Sequence, residues 1–169
     1  MQTNKKEEMI KLKVKTDFDS AHRLVGYKGK CNNLHGHMWV IKVEIEGKKK
    51  DINEIGMLWD FINLKKVRES FDHKTILKDC KENRDLIVYL RKTRFGSEDN
   101  VYLMKKNPTA ENLCYEVFNI LKEGGELILN LKIRVYETPT SYAEIEKTIH
   151  PIIKTKFKPF VDEEVKKLE

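Results

Sequence analysis

The chain is poor in the features that mark disordered, membrane and secreted proteins. Only four prolines occur in 169 residues, and there is no internal repeat or low-complexity tract, which excludes the common disordered and fibrous classes. No apolar run approaches the ~20 residues needed to cross a bilayer, so no membrane partner is expected. The opening stretch MQTNKKEEMI lacks the apolar core of a secretory signal, and the cytoplasm is the expected compartment. Cysteine is scarce too: three residues, an odd number, argue against a disulfide framework and leave Cys31, Cys80 and Cys114 as free thiols. Aromatic residues make up 9% of the chain and are not interleaved with basic ones as on a single-strand binding platform, so no nucleic-acid partner is expected.

What is present reads as one soluble globular domain. The chain is 40% hydrophobic and 36% charged, with a formal net charge of +6. Lysines are scattered through KKEE, KLKVK, GKKKD and VKKLE, mixed with acids as on solvated faces rather than gathered in a stripe. A small polyanionic substrate suits that balance.

Residues 10–18 alternate, with Ile10, Leu12, Val14, Thr16 and Phe18 on one side, which predicts a half-buried strand. Residues 19–34, with Gly26 and Gly29, read as a long loop, and alternation resumes from His37 through Trp39, Ile41, Val43 and Ile45. Asp60 can cap a helix reaching Phe71, with Phe61, Leu64 and Val67 on one side. Asn107-Pro108-Thr109 opens a second helix whose stripe of Ala110, Leu113, Cys114, Val117 and Leu121 is apolar, and Gly124-Gly125 ends it. Cys114 on that stripe reads as a buried structural thiol. A third strand covers residues 127–137 and a fourth SYAEIEK. The least regular stretch, residues 79–106, can form a hairpin or a helix followed by a strand. This order predicts an α+β domain of antiparallel strands with helices on one face.

The chemistry concentrates in CNNLHGH, residues 31–37. Side chains two apart on a strand share a face, so His35 and His37 can reach one ion. Two imidazoles leave a tetrahedral shell incomplete. Pairing of the first two strands makes His22 the candidate third ligand. Three neutral imidazoles leave one position open, as in a catalytic ion that polarises a substrate oxygen. Cys31 has two readings: a fourth ligand closing a structural shell, or a thiolate base beside the ion. Asp72-His73 is a further acid–base pair that can cooperate only if the backbone bends between them. Glu137, at the end of an apolar strand, can accept two parallel N–H bonds from a guanidine-like ring edge.

Together the segments FDSAHRL, CNNLHGH, MLWDFINLKK, FDHKTIL, NPTAENL and VYETPTSYAEI, in this order over about residues 10–147, resemble the 6-pyruvoyltetrahydropterin synthase / 6-carboxytetrahydropterin synthase family. The resemblance implies the tunnelling fold: a four-stranded antiparallel sheet with two helices on one face, in trimers that close a barrel. Two trimers would stack as a hexamer with active sites between subunits. It implies His22, His35 and His37 as ligands of Zn2+, and Cys31 as general base. Asp72 and His73 become proton-relay partners, which a neighbouring subunit can supply. Glu137 would anchor the aminopyrimidine edge of the pterin, with Thr109 and Glu111 as further pterin contacts.

The implied substrate is 7,8-dihydroneopterin triphosphate. Zinc would hold its side-chain hydroxyls and acidify the adjacent C–H, whose proton the thiolate takes. Elimination of triphosphate would give 6-pyruvoyltetrahydropterin. Loss of acetaldehyde as well would give 6-carboxy-5,6,7,8-tetrahydropterin, on the way to 7-deazaguanine nucleosides such as queuosine. The carboxy enzymes of the family place the cysteine four residues before HGH and the animal pyruvoyl enzymes typically six, so Cys31 and His35 favour the carboxy branch. The chain departs from the family at Met38, where a small polar residue is usual. It also departs in the long segment at about residues 79–106, which carries Arg84, Arg91, Lys92 and Arg94 and is expected to extend the surface, and in the tail 151–169. A single domain over residues 1–169 is the expected organisation.

Overall fold

Burial alternates along the two longest strands, β1 (Met9–His22) and β2 (His35–Lys48), and this alternation sets the layer that carries everything else. The structure is a computed structural model that describes residues 7–92, 99–123 and 127–150. Along β2, Trp39, Ile41, Val43 and Ile45 are fully buried while the residues between them face the other side. The two strands pair antiparallel from Met9 opposite Lys48 to His22 opposite His35.

The helix α1 (Ile62–Phe71) follows, and the Asp60 carboxylate accepts the Ile62 N–H at 2.9 Å, so Asp60 caps it as expected. Then come β3 (Lys74–Lys78), α2 (Arg84–Lys92), β4 (Val101–Met104), α3 (Ala110–Lys122), β5 (Leu129–Thr138) and β6 (Ser141–Ile149). The sheet order is β4-β3-β1-β2-β5-β6. The pairs β1–β2, β2–β5 and β5–β6 are antiparallel, whereas β1–β3 and β3–β4 are parallel. The sheet is therefore six-stranded and mixed, which corrects the expected four-stranded antiparallel sheet. The four expected strands form its larger part, and β3 and β4 extend it beside β1.

The strand β3 shows no apolar alternation, for a physical reason. Ile76 and Leu77 are adjacent in β3 and both fully buried, because a strand covered on both faces does not alternate. Ile76 joins the main core. Leu77 faces the opposite way with its β4 partner Leu103, which shares a cavity with Ile87 and Val88 of α2. Residues 79–106 thus take the helix-then-strand option, with α2 as a third helix. Arg84 and Arg91 line that same cavity, away from the histidines, and Lys92 is exposed. Arg94 and the tail 151–169 lie outside the described residues.

The helices α1 and α3 pack on one face of the sheet. Leu64, Val67 and Phe71 of α1, and Ala110, Leu113, Cys114, Val117 and Leu121 of α3, meet Phe18, Trp39, Ile41, Ile133 and Val135. Cys114 is buried and its thiol donates to the Ala143 carbonyl at 3.4 Å, with burial pushing its pKa up to about 11. The stop expected at Gly124-Gly125 falls outside the described residues. The apolar stripe of α3 also aims its first turn at the end of β1, where the core face turns polar.

Candidate metal and catalytic site

The face of β1 that buries Phe18 continues through Ser20 to His22, which is fully buried. This corrects the loop expected over residues 19–34 and the start of the second strand expected at His37. In the structure β1 continues to His22 and β2 begins at His35. Ser20 and His22 are polar residues on a buried face, so they break the apolar alternation without breaking the strand. Register then does the rest. His22 pairs with His35 and Ser20 with His37, and residues two apart share a face, so three imidazoles converge at one end of the core layer. The ring centroids lie 4.5, 5.2 and 5.0 Å apart. Trp39, fully buried, sets the floor beneath them with its ring edge-on to His22 and His37 at 5.0 and 5.5 Å. Its predecessor Met38 points to the other face and is exposed.

The protonation pattern follows from the partners. His22 Nδ1 meets the Pro108 carbonyl oxygen at 2.7 Å, and His35 Nδ1 meets the Asn33 carbonyl oxygen at 2.8 Å. A carbonyl only accepts, so each Nδ1 must carry the proton, and in a neutral ring Nε2 then holds the lone pair. The His22 pKa lies at about 4, lowered first by burial and also by the neighbouring rings of His35 and His37, with the Pro108 hydrogen bond opposing them. His37 is lowered as well, first by burial, with Glu137 opposing. The Nε2 atoms of His22 and His35 stand 3.1 Å apart. Two lone pairs facing at that distance repel unless a cation lies between them. His37 Nε2 is buried and has no hydrogen-bond partner among the described residues. The donor set therefore fits a divalent ion such as zinc, with carbonyls holding two rings in the ligating tautomer.

Glu137 joins this group. Its Oε1 lies 3.3 Å from His22 Nε2 and 3.5 Å from His37 Nε2. The ligand atoms of His22, His35, His37 and Glu137 all lie within 4.8 Å of one another. Strand parity explains the placement: Tyr136 pairs with Val40 and Val135 with Ile41, so Glu137 shares the core-facing side with Val135, beside Trp39.

Cys31 stands outside that group. It sits half-buried in a single 3-10 turn, Lys30–Asn32, within the loop joining β1 to β2. The loop is tied across itself, with Leu24 N–H donating to the Cys31 carbonyl at 2.8 Å and Arg23 Nη2 to Asn32 Oδ1 at 3.0 Å. The Asp72-His73 pair does form. The two side chains meet at 3.2 Å, and the required bend is present as a positive φ of 57° at His73. Asp72 also accepts the Asp19 N–H at 3.1 Å and lies 3.2 Å from Arg68. Burial alone would raise its pKa, but the Asp19 N–H, Arg68 and His73 together hold it below the usual carboxylate range. The His73 ring is 80% exposed. The pair lies beside Asp19, whose side chain faces away from Ser20 and His22 on β1, so one chain does not bring it to the three histidines. Thr109 caps α3 by accepting the Asn112 N–H at 3.4 Å. Glu111, in the first turn, is exposed, and the Thr109 hydroxyl and its own backbone N–H lower its pKa.

Sequence reasoning missed the groups behind the rings. The carbonyls of Pro108 and Asn33 carry no side-chain signal. Asn107 had one, in that an asparagine before a proline at a helix start can bond locally, but its partner is distant. Its side chain accepts the Val25 N–H at 3.0 Å and donates to the Val25 carbonyl at 2.9 Å. This clamp fixes the Cys31 loop to the segment that presents the Pro108 carbonyl to His22.

The sequence model of the family described as 6-pyruvoyl tetrahydropterin synthase matches residues 11–148. The chain belongs to this family. It is thereby an enzyme. A Rickettsia bellii protein named 6-carboxy-5,6,7,8-tetrahydropterin synthase is 34% identical over 146 residues, covering 81% of this chain and all of that one. A Haemophilus influenzae protein of the same name is 34% identical over 148 residues, covering 82% of this chain and all of that one. The fold is similar to that of Plasmodium falciparum 6-pyruvoyl tetrahydropterin synthase, with a TM-score of 0.60 and 22% identity over 84% of this chain and 99% of that one. It is also similar to the Caenorhabditis elegans 6-pyruvoyl tetrahydropterin synthase, with a TM-score of 0.54 and 24% identity over 83% of this chain and 98% of that one. Among the described residues no helix is long and apolar enough to cross a membrane.

Proposed function

We propose that this family member is a zinc-dependent 6-carboxy-5,6,7,8-tetrahydropterin synthase. It is a lyase that converts 7,8-dihydroneopterin triphosphate and one water into 6-carboxytetrahydropterin, acetaldehyde and triphosphate, in the cytoplasmic route to 7-deazaguanine nucleosides such as queuosine. The observation that carries the reading is the 3.1 Å approach of His22 Nε2 and His35 Nε2 with both Nδ1 atoms committed to carbonyls. The four-residue spacing from Cys31 to His35 and the names of the Rickettsia and Haemophilus relatives support the carboxy branch.

His22, His35 and His37 would hold zinc. When bound, zinc supplies a Lewis acid that acidifies the C–H beside the substrate's side-chain oxygens. Cys31 takes that proton as a thiolate. Its position outside the four-residue ligand group suits a base rather than a ligand that closes a structural shell. Asp72 and the exposed His73, outside the ligand group of their own chain, act on the site of a neighbouring subunit in a hexamer of two stacked trimers. There the Asp72 carboxylate, held below the usual carboxylate range by its partners, orients the His73 imidazole for proton return. Glu137 binds the aminopyrimidine edge, and Thr109 and Glu111, at the start of α3, add pterin contacts.

The test is product analysis. Purified protein incubated with 7,8-dihydroneopterin triphosphate is expected to release acetaldehyde together with triphosphate, and a chelator should abolish both. Triphosphate without acetaldehyde would assign the pyruvoyl branch, and neither product would overturn the enzymatic reading.

A further inference from the structure

The helix α2 lies beside β4 without closing against it. None of its residues is fully buried, Val88 is exposed, and a cavity of about 290 Å³ remains against Leu103 of β4. The helix repeat orders one wall of that cavity. Residues three or four apart share a side, so Arg84, then Ile87 and Val88, then Arg91 present a cation, an apolar patch and a second cation over about 10 Å. Lys81 joins Arg84 at the end where α2 begins, which is also the positive end of the helix dipole. Elsewhere cations are answered: Lys132 reaches Glu146 at 2.6 Å and Lys50 reaches Glu7 at 2.8 Å. Lys81, Arg84 and Arg91 make no ion pair among the described residues.

We propose that this cavity binds a phosphorylated small molecule with an apolar or planar body. The phosphate sits between Lys81 and Arg84, the body lies on Ile87, Val88 and Leu103, and Arg91 covers its far end. A guanidinium forks onto phosphate oxygens and also stacks on a flat ring, so Arg84 and Arg91 suit these two tasks. A bare inorganic anion would leave the apolar wall wet, and a neutral apolar molecule would leave three cations unanswered. Asp79 is the single carboxylate in the lining. It repels further negative charge, which favours one phosphate over a polyphosphate.

The turn that presents the charged end is held in place before any ligand arrives. Asp79 N–H donates to the Met104 carbonyl at 2.7 Å, and Asn83, fully buried, donates from Nδ2 to the Lys78 carbonyl at 2.8 Å. Little ordering is left for the ligand to impose on that turn. None of the histidine group lines this cavity, so the proposal does not depend on the zinc reading.

Cys80 lines the cavity as a half-buried free thiol and reports its occupancy. Alkylation by iodoacetamide is followed on the whole chain, with peptide mass spectrometry separating Cys80 from Cys31 and Cys114. Phenyl phosphate is the probe, and inorganic phosphate and phenol supply its two halves separately. At about ten times its dissociation constant, phenyl phosphate should slow Cys80 alkylation roughly tenfold, because only the unoccupied fraction reacts. Each half at the same concentration should protect far less, and the Cys31 rate should not change. Arg84→Gln should raise the dissociation constant roughly tenfold through loss of one charge-assisted pair. Val88→Asp, which sets a carboxylate on the apolar wall, should weaken binding as well. Circular dichroism checks that both variants fold, and should either fail, the wild-type arm decides alone. No protection of Cys80 at millimolar phenyl phosphate, equal protection by inorganic phosphate, or undiminished protection in folded Arg84→Gln would overturn the proposal. Protection confined to Cys31 would place the phosphate at the histidine end and overturn it too.

Discussion

His22 Nε2 and His35 Nε2 face each other at 3.1 Å across the register pair that ends the β1–β2 ladder, each ring anchored from behind by a backbone carbonyl. Antiparallel pairing sets the distance and the carbonyls set the tautomer. His35→Ala should leave two imidazoles and drop bound zinc well below one per chain after dialysis, measured by metal analysis. Full retention would remove His35 from the ligand set.

Burial of His22 predicts acid sensitivity. In the fold its pKa is lowered from 6.5 to about 4, whereas in the unfolded chain it titrates near the ordinary value. Between these two values the unfolded chain binds more protons, so acidification favours unfolding. The contribution is fully present above pH 6.5, shrinks as pH falls toward 4, and amounts to on the order of 3 kcal/mol. Urea denaturation of chelator-treated protein at pH 7 and pH 4.5 checks it, and His22→Gln should flatten the dependence over that range.

Asn107 locks the Cys31 loop to the start of α3 through two hydrogen bonds to Val25. Asn107→Ala removes both and strands a backbone pair that is partly buried, at a cost of about 1–3 kcal/mol. The alkylation rate of Cys31 by iodoacetamide should change with it, because the loop that fixes the sulfur is released. An unchanged stability would show that the clamp carries no load.

His73 holds a left-handed backbone conformation that turns its ring toward Asp72. Asparagine tolerates that conformation and a β-branched residue does not. His73→Val should therefore be less stable than His73→Asn by about 1–2 kcal/mol in equilibrium denaturation, although the side chain itself is exposed.

The long strands, α1 and α3 were legible because apolar periodicity recorded their burial. The histidine face was legible only in part. His35-Gly-His37 announces a shared side, but the extension of β1 through Asp19, Ser20 and His22 is hidden, because polar residues occupy its buried positions for reasons of chemistry rather than packing. β3 was illegible for the opposite reason, since Ile76 and Leu77 are buried on both faces of one short strand, whereas β4 was legible as one of two options for residues 79–106. Glu137 was singled out for its place at a strand end, yet its approach to the histidines depends on the register of β5 against β2, which no local pattern encodes. Asn107 and the Pro108 carbonyl act across 82 and 86 residues of chain, beyond any motif window.

The proposed chemistry divides labour between three rings and one sulfur. Cys31→Ala, assayed for metal content and for acetaldehyde release on the same preparation, tests it most directly. The expected result is zinc retained near wild-type stoichiometry with acetaldehyde formation lost. Loss of zinc along with activity would make the thiol a ligand, and full activity with zinc in place would remove it from the chemistry altogether.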